Sequence, residues 1–261
     1  MKFLYIFTLI FSITAAKAAE QVEFATHYDY PPFVIDMKKQ EGFVFDLAKY
    51  LSKQSKGRYD FQVTYVPRIR IENYLNKKKT VVVPFVSPKW FSDDNMTRYL
   101  WTAPLMTDQN VVVSQKKSLF EYKGLESLNG KTMAYFLGHK MPVLDNLISE
   151  GKIKREDGPS LTGNFKKVVE GRADFLVTGE MVVRYIIDRE HWQTNLSVAK
   201  EPIDVFERRI LVSPVTDVAL QQWLNSEVKD LIKSKQWPTF LDHYSFENLS
   251  TSSPLQSSSH R

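Results

Sequence analysis

Apolar and polar positions divide the chain into short strand-like runs that alternate with helical stripes. Residues 22–25 form an apolar run that leads into Tyr28-Asp29-Tyr30-Pro31-Pro32-Phe33. Two consecutive prolines lack the N–H that a sheet ladder needs, so the chain is expected to leave the sheet here with Tyr28, Tyr30 and Phe33 exposed at its edge. Beyond this turn Phe43, Leu47, Tyr50 and Leu51 recur at helical spacing, which predicts one amphipathic helix. The segment 59–66 alternates in the manner of a strand, Pro67 precedes a helix with Ile71, Tyr74 and Leu75 on one face, and 80–83 is a β-branched run suited to a buried parallel strand. Strand, helix, strand, helix, strand is an α/β unit.

The second half repeats the theme. Two apolar runs, 110–115 and 208–213, read as buried strands. Between them, 132–137 predicts a strand ending at Gly138-His139, followed by a helix with Val143, Leu144 and Leu147. A helix with Phe165, Val168 and Val169 stops at Gly171, the strand 173–178 reaches a Gly179-Glu180 turn, and a helix with Val183, Ile186 and Ile187 follows. Leu220, Trp223, Leu224, Val228 and Leu231 form a core stripe on a long helix, and Trp237, Phe240 and Leu241 a short one. Residues 245–261 are serine-rich with little to bury, so a disordered tail is expected there.

The beginning of the chain changes the picture of where it works. Lys2, an apolar run over 3–13 and then Ala15-Ala16-Lys17-Ala18 have the pattern of a secretory signal peptide, with cleavage expected after Ala18. That run falls short of the roughly 20 apolar residues of a membrane span. The chain contains no cysteine, which excludes disulfides, thiolate metal sites and a lipid-anchored cysteine. A soluble periplasmic molecule is expected.

Charge narrows the partners. The net charge is +5, and loss of Lys2 and Lys17 with residues 1–18 leaves 33 basic against 30 acidic residues, a balance of +3. The lysines are scattered and form no basic stripe interleaved with aromatics, so nucleic acid is not an expected partner. There is no Gly-x-Ser-x-Gly elbow, no phosphate-binding glycine loop and no His/carboxylate cluster at metal spacing, so neither catalysis, a cofactor nor a metal is expected.

Candidate binding chemistry gathers at predicted strand ends, where open α/β sheets hold small ligands. Tyr28, Tyr30 and Phe33 are either ligand walls or turn packing. The loop 84–98 is long, and long ordered loops are usually functional. It offers Phe85 and Trp90 as apolar surfaces, Ser87 as a hydroxyl, and Arg98 as either a carboxylate clamp or a solvated charge. Gly138 permits close backbone approach before a helix start that could hold an anion, while His139 is either a contact or a structural imidazole.

Tyr30-Pro31-Pro32-Phe33, Gly42 to Leu47, the loop to Thr97-Arg98 and Trp101-Thr102-Ala103-Pro104-Leu105, in that order and spacing, resemble the extracellular solute-binding proteins of polar amino-acid ABC transporters, over about residues 20–244. The resemblance implies a two-lobed periplasmic-binding-protein fold of the Venus-flytrap type, with residues 19–110 and 211–244 as lobe one, 111–210 as lobe two, and two hinge crossings. It implies a monomer that captures a small polar ligand, an amino acid or related carboxylate, by hinge closure and passes it to a membrane permease. Tyr28, Tyr30, Phe33, Phe85, Ser87, Trp90 and Arg98 of lobe one, and Gly138, His139, Thr178 and Glu180 of lobe two, would line the cleft.

The chain departs from that pattern at two places. His139 stands where relatives carry a small hydroxyl residue, and Gly179 stands where an acid takes the ligand's ammonium group. Glu180 either substitutes or caps its own helix. Two other readings follow from the same fold: an enzyme of the cyclohexadienyl dehydratase type, with Glu180 or His139 as its acid, or a ligand sensor acting through a separate receptor.

Overall fold

The computed structural model describes residues 18–137 and 139–244. Lobe one begins with β1 (Glu20–Thr26), α1 (Phe43–Gln54), β2 (Tyr59–Tyr65), α2 (Arg68–Asn76) and β3 (Val82–Val86), followed by the two-residue β4 (Leu100–Trp101). Lobe two comprises β5 (Met106–Gln115), β6 (Thr132–Phe136), α3 (Pro142–Ser149), β7 (Lys154–Gly158), α4 (Leu161–Val169), β8 (Phe175–Gly179), α5 (Glu180–Arg189) and β9 (Leu196–Val198). β10 (Asp204–Val212) then leads back to α6 (Val218–Lys233) and α7 (Gln236–Asp242) on lobe one.

The strands run β2-β1-β3-β10-β5-β8-β6-β7, with β4 beside β10 and β9 beside β5. β10 joins the halves: Asp204 to Arg208 pair antiparallel with Asn110 to Met106 of β5, whereas Arg209, Leu211 and Val212 pair with β3 and β4. In each half three parallel strands meet an antiparallel one, β10 in lobe one and β5 in lobe two. The arrangement is an α/β fold of two lobes.

Period-two alternation places successive side chains on opposite sheet faces, so each lobe is sandwiched between helices. In lobe one Val22 and Phe24 face Leu47, Leu224 and Trp237, while Ala25 and Val83 face Ile71 and Leu75 of α2. In lobe two Val111 and Val113 face Phe165 and Val183, while Val112, Met133 and Phe175 face Leu144 of α3. Trp223 packs its indole on Phe61 and Tyr59, with centroids 6.0 and 5.3 Å away.

The third strand differs from its sequence reading in an informative way. It extends through Pro84 and Phe85 instead of ending before them. Arg209 pairs with Val86 and Leu211 with Val83, so Ile210 alone opposes both Pro84 and Phe85. This is a β-bulge, which accommodates a residue without an N–H inside a sheet. Phe85 adopts φ +59° there, an uncommon conformation for a side-chain-bearing residue. The short strands β4, β7 and β9 carry no apolar run and escape the sequence pattern. The leader 1–18 lies outside the described residues but for Ala18, and the tail 245–261 and Gly138 lie outside them as well.

Candidate functional site

The aromatic turn after β1 folds inward. Tyr28 is 2 % exposed, Tyr30 9 % and Phe33 0 %, against the expectation that they stand exposed at the sheet edge. The ladder ends at Thr26, ahead of the prolines, and the three rings pack on one another and on Phe85, with Tyr30 alone also meeting lobe two. Tyr28 stacks on Phe33 at 4.0 Å and meets Tyr30 edge-on at 5.5 Å, and Phe33 also touches Phe85. Tyr30 reaches the other lobe, where its ring lies 5.9 Å from Phe136 and 6.3 Å from His139.

Beneath these rings lies a buried ion pair. Arg208 of β10 directs Nε to Asp108 Oδ2 at 2.8 Å, and its Nη2 lies 2.7 Å from the same oxygen. Its Nη1 donates to Tyr28 Oη at 2.9 Å and to the Phe85 carbonyl at 3.0 Å, while Tyr28 Oη itself donates to that carbonyl at 2.7 Å. The bulge makes this possible, because it takes the Phe85 carbonyl out of the ladder and frees it as an acceptor. Phe33, Phe206 and Trp90 surround the guanidinium carbon at 4.7, 5.0 and 5.3 Å. Burial opposes the charge, but Tyr28 and Asp108 outweigh it and Arg208 is held above the ordinary guanidinium range.

Asp108 ties the pair to lobe two. Its Oδ1 accepts from Gln109 N at 2.8 Å and, at a longer 3.4 Å, from Met181 N at the start of α5. Gly179 precedes that helix, and a β-carbon on it would stand 2.9 Å from both Arg208 Nη2 and Asp108 Oδ2. The bare glycine therefore gives the ion pair its room.

Two imidazoles flank the seam. The His27 ring lies tilted against Tyr28 with centroids 4.2 Å apart, and its Nδ1 is buried with no hydrogen-bond partner among the described residues. Burial, then the charges of Arg68, His139 and Arg208, bring its pKa down to about 3. Burial likewise brings His139 down to about 4, so both rings are neutral at neutral pH.

The other sequence-predicted residues take different places. Trp90 joins the ring cluster through Phe206 at 5.0 Å. Ser87 and Thr178 are buried at the ends of β3 and β8. Arg98 instead points its guanidinium at the Phe91 carbonyl and the Tyr99 hydroxyl, beside the α2 face of lobe one. The loop around it is organised by Asp93, whose carboxylate accepts from the Thr97, Arg98 and Tyr99 amides and from Trp101 Nε1. Glu180 bonds Gln109 Nε2 at 2.9 Å and pairs with Arg184 one turn along α5.

Sequence reasoning missed Asp108, Phe136 and Phe206 and assigned Arg208 no role in the site. The available signal was a charge at the leading edge of each of two apolar strand runs, Asp108 two residues ahead of 110–115 and Arg208 at the start of 208–213. Among the described residues no group of three or more His, Asp or Glu could hold a metal, and no helix is long and apolar enough to cross a membrane.

No protein-family model and no curated protein matches the sequence. Solved structures match it closely in shape. The chain is similar to the protein in a structure described as the basis of glutathione import via GshT and the cystine ABC importer TcyBC of Streptococcus mutans, with 18 % identity over 87 % of this chain and 95 % of that one, at TM-score 0.71. It is similar to a variant of ArgBP from T. maritima, at 22 % identity over 86 % and 94 % with TM-score 0.67. A third similar structure is the ancestral amino acid-binding protein AncCDT-1, a precursor of cyclohexadienyl dehydratase, at 23 % identity over 86 % and 95 % with TM-score 0.63. These likenesses establish the two-lobed binding-protein fold over nearly the whole of the described chain.

Proposed function

We propose that this chain is an extracytoplasmic solute-binding protein, a monomer that closes two lobes on a small polar ligand and presents it to a membrane permease. The observation that carries this reading is the seam itself. Tyr30 of lobe one meets Phe136 and His139 of lobe two through ring contacts alone, while the joining strands β5 and β10 hold the only charge pair beneath it that the described side chains bury fully. Aromatic surfaces that separate on hinge opening suit a cleft that excludes water on closure. Similarity to binding proteins, one of them studied with an ABC importer, supports the same reading. The signal peptide pattern supports export to the periplasm.

Binding is favoured over dehydratase-type catalysis because, of the two acids that chemistry would use, Glu180 is held by Arg184 and Gln109, and burial leaves His139 neutral at neutral pH. A thermal-shift screen of residues 19–261 against amino acids, small carboxylates, amines and peptidoglycan fragments tests the proposal, since a ligand selective for the native state raises the midpoint by mass action. At least one class should raise it reproducibly. A screen in which every class leaves it unchanged contradicts the proposal.

A further inference from the structure

Two imidazoles, one from each lobe, end a row of rings that crosses the seam. His27 follows β1 of lobe one and lies against Tyr28, with its Nδ1 buried and unpartnered among the described residues. Tyr28 meets Tyr30 at 5.5 Å. Tyr30 in turn faces His139 of lobe two at 6.3 Å, and His139 stands edge-on to Phe136 of its own lobe at 4.9 Å. His139 is thus packed between one ring of each lobe.

The charges around this row leave little to receive a further cation. His27 feels Arg68 of α2, Arg208 of β10 and His139 across the seam, all three of which oppose its protonation. The acids beside those arginines are engaged, Glu72 with Arg68 at 3.1 Å and Asp108 with Arg208 at 2.7 Å. Asp108 and Asp29 act on Tyr30. Burial raises the Asp29 carboxyl, so its own protonation favours the buried form and is opposite in sign to that of the imidazoles. A proton on His27 meets two guanidiniums, and protons on both rings add a like-charged pair that spans the lobes.

We propose that the seam is an acid-sensitive latch, in which protonation of His27 and His139 parts the lobes about β5 and β10 and favours release of what the cleft holds. This rests on the hinge of the reading above and adds its regulation. Opening withdraws Tyr30 from His139, and His139 from His27, while the pairing of β5 with β10 stays intact. Hydration of the rings therefore needs a hinge motion and not loss of either lobe's sheet. The closed rings are held at about 3 and about 4, whereas a hydrated imidazole titrates near 6.5. Between those limits the open form binds more protons, so the open-to-closed ratio rises as the pH falls, by at least about tenfold per ring from pH 7 to pH 5.

The test places spin labels on Tyr65→Cys/Leu137→Cys in residues 19–261, at exposed strand ends of opposite lobes, and reads their separation by pulsed resonance at pH 7 and pH 5. The ratio of short to long separations is expected to fall at least about tenfold at pH 5 while far-UV circular dichroism is unchanged. Adding His27→Phe or His139→Phe should weaken the response, both together should reduce it to less than about twofold, and Asp29→Asn should leave it in place. The same distribution at both pH values, no short separation at pH 7, an undiminished response in the folded imidazole variants, or loss of the response in Asp29→Asn overturns the latch. So does a distance change that tracks loss of circular dichroism, which would make the acid transition unfolding. The thermal-shift screen at neutral pH judges the binding reading separately: a ligand there with no acid response leaves binding and removes the latch, whereas an acid response with a silent screen leaves the latch and removes binding.

Discussion

The Arg208 guanidinium lies against the bare Cα of Gly179, with room for a hydrogen and none for a methyl group. Gly179→Ala would place its β-carbon 2.9 Å from Nη2 and from Asp108 Oδ2, both buried and hydrogen-bonded. The backbone there has φ −58°, which any residue adopts, so the cost is displacement of the pair and not backbone strain. Urea unfolding should show a loss of about 1–3 kcal/mol. An unchanged midpoint would mean that the pair shifts aside freely.

Removing one member of the pair should cost more than removing both. Asp108→Leu or Arg208→Met alone strands a buried charge, with an expected loss of about 3–5 kcal/mol each. The double substitution should recover most of that loss, because apolar side chains of similar volume replace two desolvated ions. A double-mutant cycle measures the coupling, and simple additivity of the two single losses would contradict the buried pairing.

Acid should weaken the fold through the two imidazoles. His27 is held down to about 3 and His139 to about 4, whereas an imidazole in the unfolded chain titrates near 6.5. Across that window the unfolded chain binds more protons, so stability falls as the pH drops from about 6.5 towards 3 and is insensitive to these groups above about 7. Thermal midpoints taken from pH 7 to 4 should decline less steeply in His27→Phe than in the unsubstituted protein. Parallel curves would show that His27 is not the titrating group.

The loop beyond β3 depends on one carboxylate. Burial pushes Asp93 up, but the Trp101 indole and three backbone amides outweigh it and hold it below the usual carboxylate range. Asp93→Ala leaves those part-buried donors without their acceptor and should cost about 1–3 kcal/mol. Limited proteolysis is then expected to cut within 94–101. Resistance equal to that of the unsubstituted protein would assign the loop's order to its ring contacts instead.

Much of this architecture is legible in the residue pattern, since β1, β2, β6, β8 and all seven helices follow from apolar periodicity. The inward turn of Tyr28, Tyr30 and Phe33 is not, because nothing local says that Phe85 and Arg208 will cover the first and last of them and lobe two will meet Tyr30. The Asp108–Arg208 pair is harder still: its members lie 100 residues apart and meet only when β5 and β10 align. Arg98 stands out in sequence as a loop arginine, yet its backbone is pinned by Asp93 and its side chain by Tyr99. Pro84 reads as the end of a strand, whereas the bulge it occupies turns the Phe85 carbonyl towards Arg208.

Hinge closure is directly measurable because the chain contains no cysteine that would compete for a thiol label. Tyr65 and Leu137 are exposed at strand ends on lobes one and two, so Tyr65→Cys/Leu137→Cys accepts a spin label on each lobe without disturbing the core. Pulsed electron–electron resonance then reports the distance between the labels, alone and with each of the amino acids, small carboxylates, amines and peptidoglycan fragments of the thermal-shift screen. A broad or longer distance is expected in the free protein, narrowing to a shorter one with at least one member of the panel. A single distance, identical in the free protein and with every member of the panel, would contradict it.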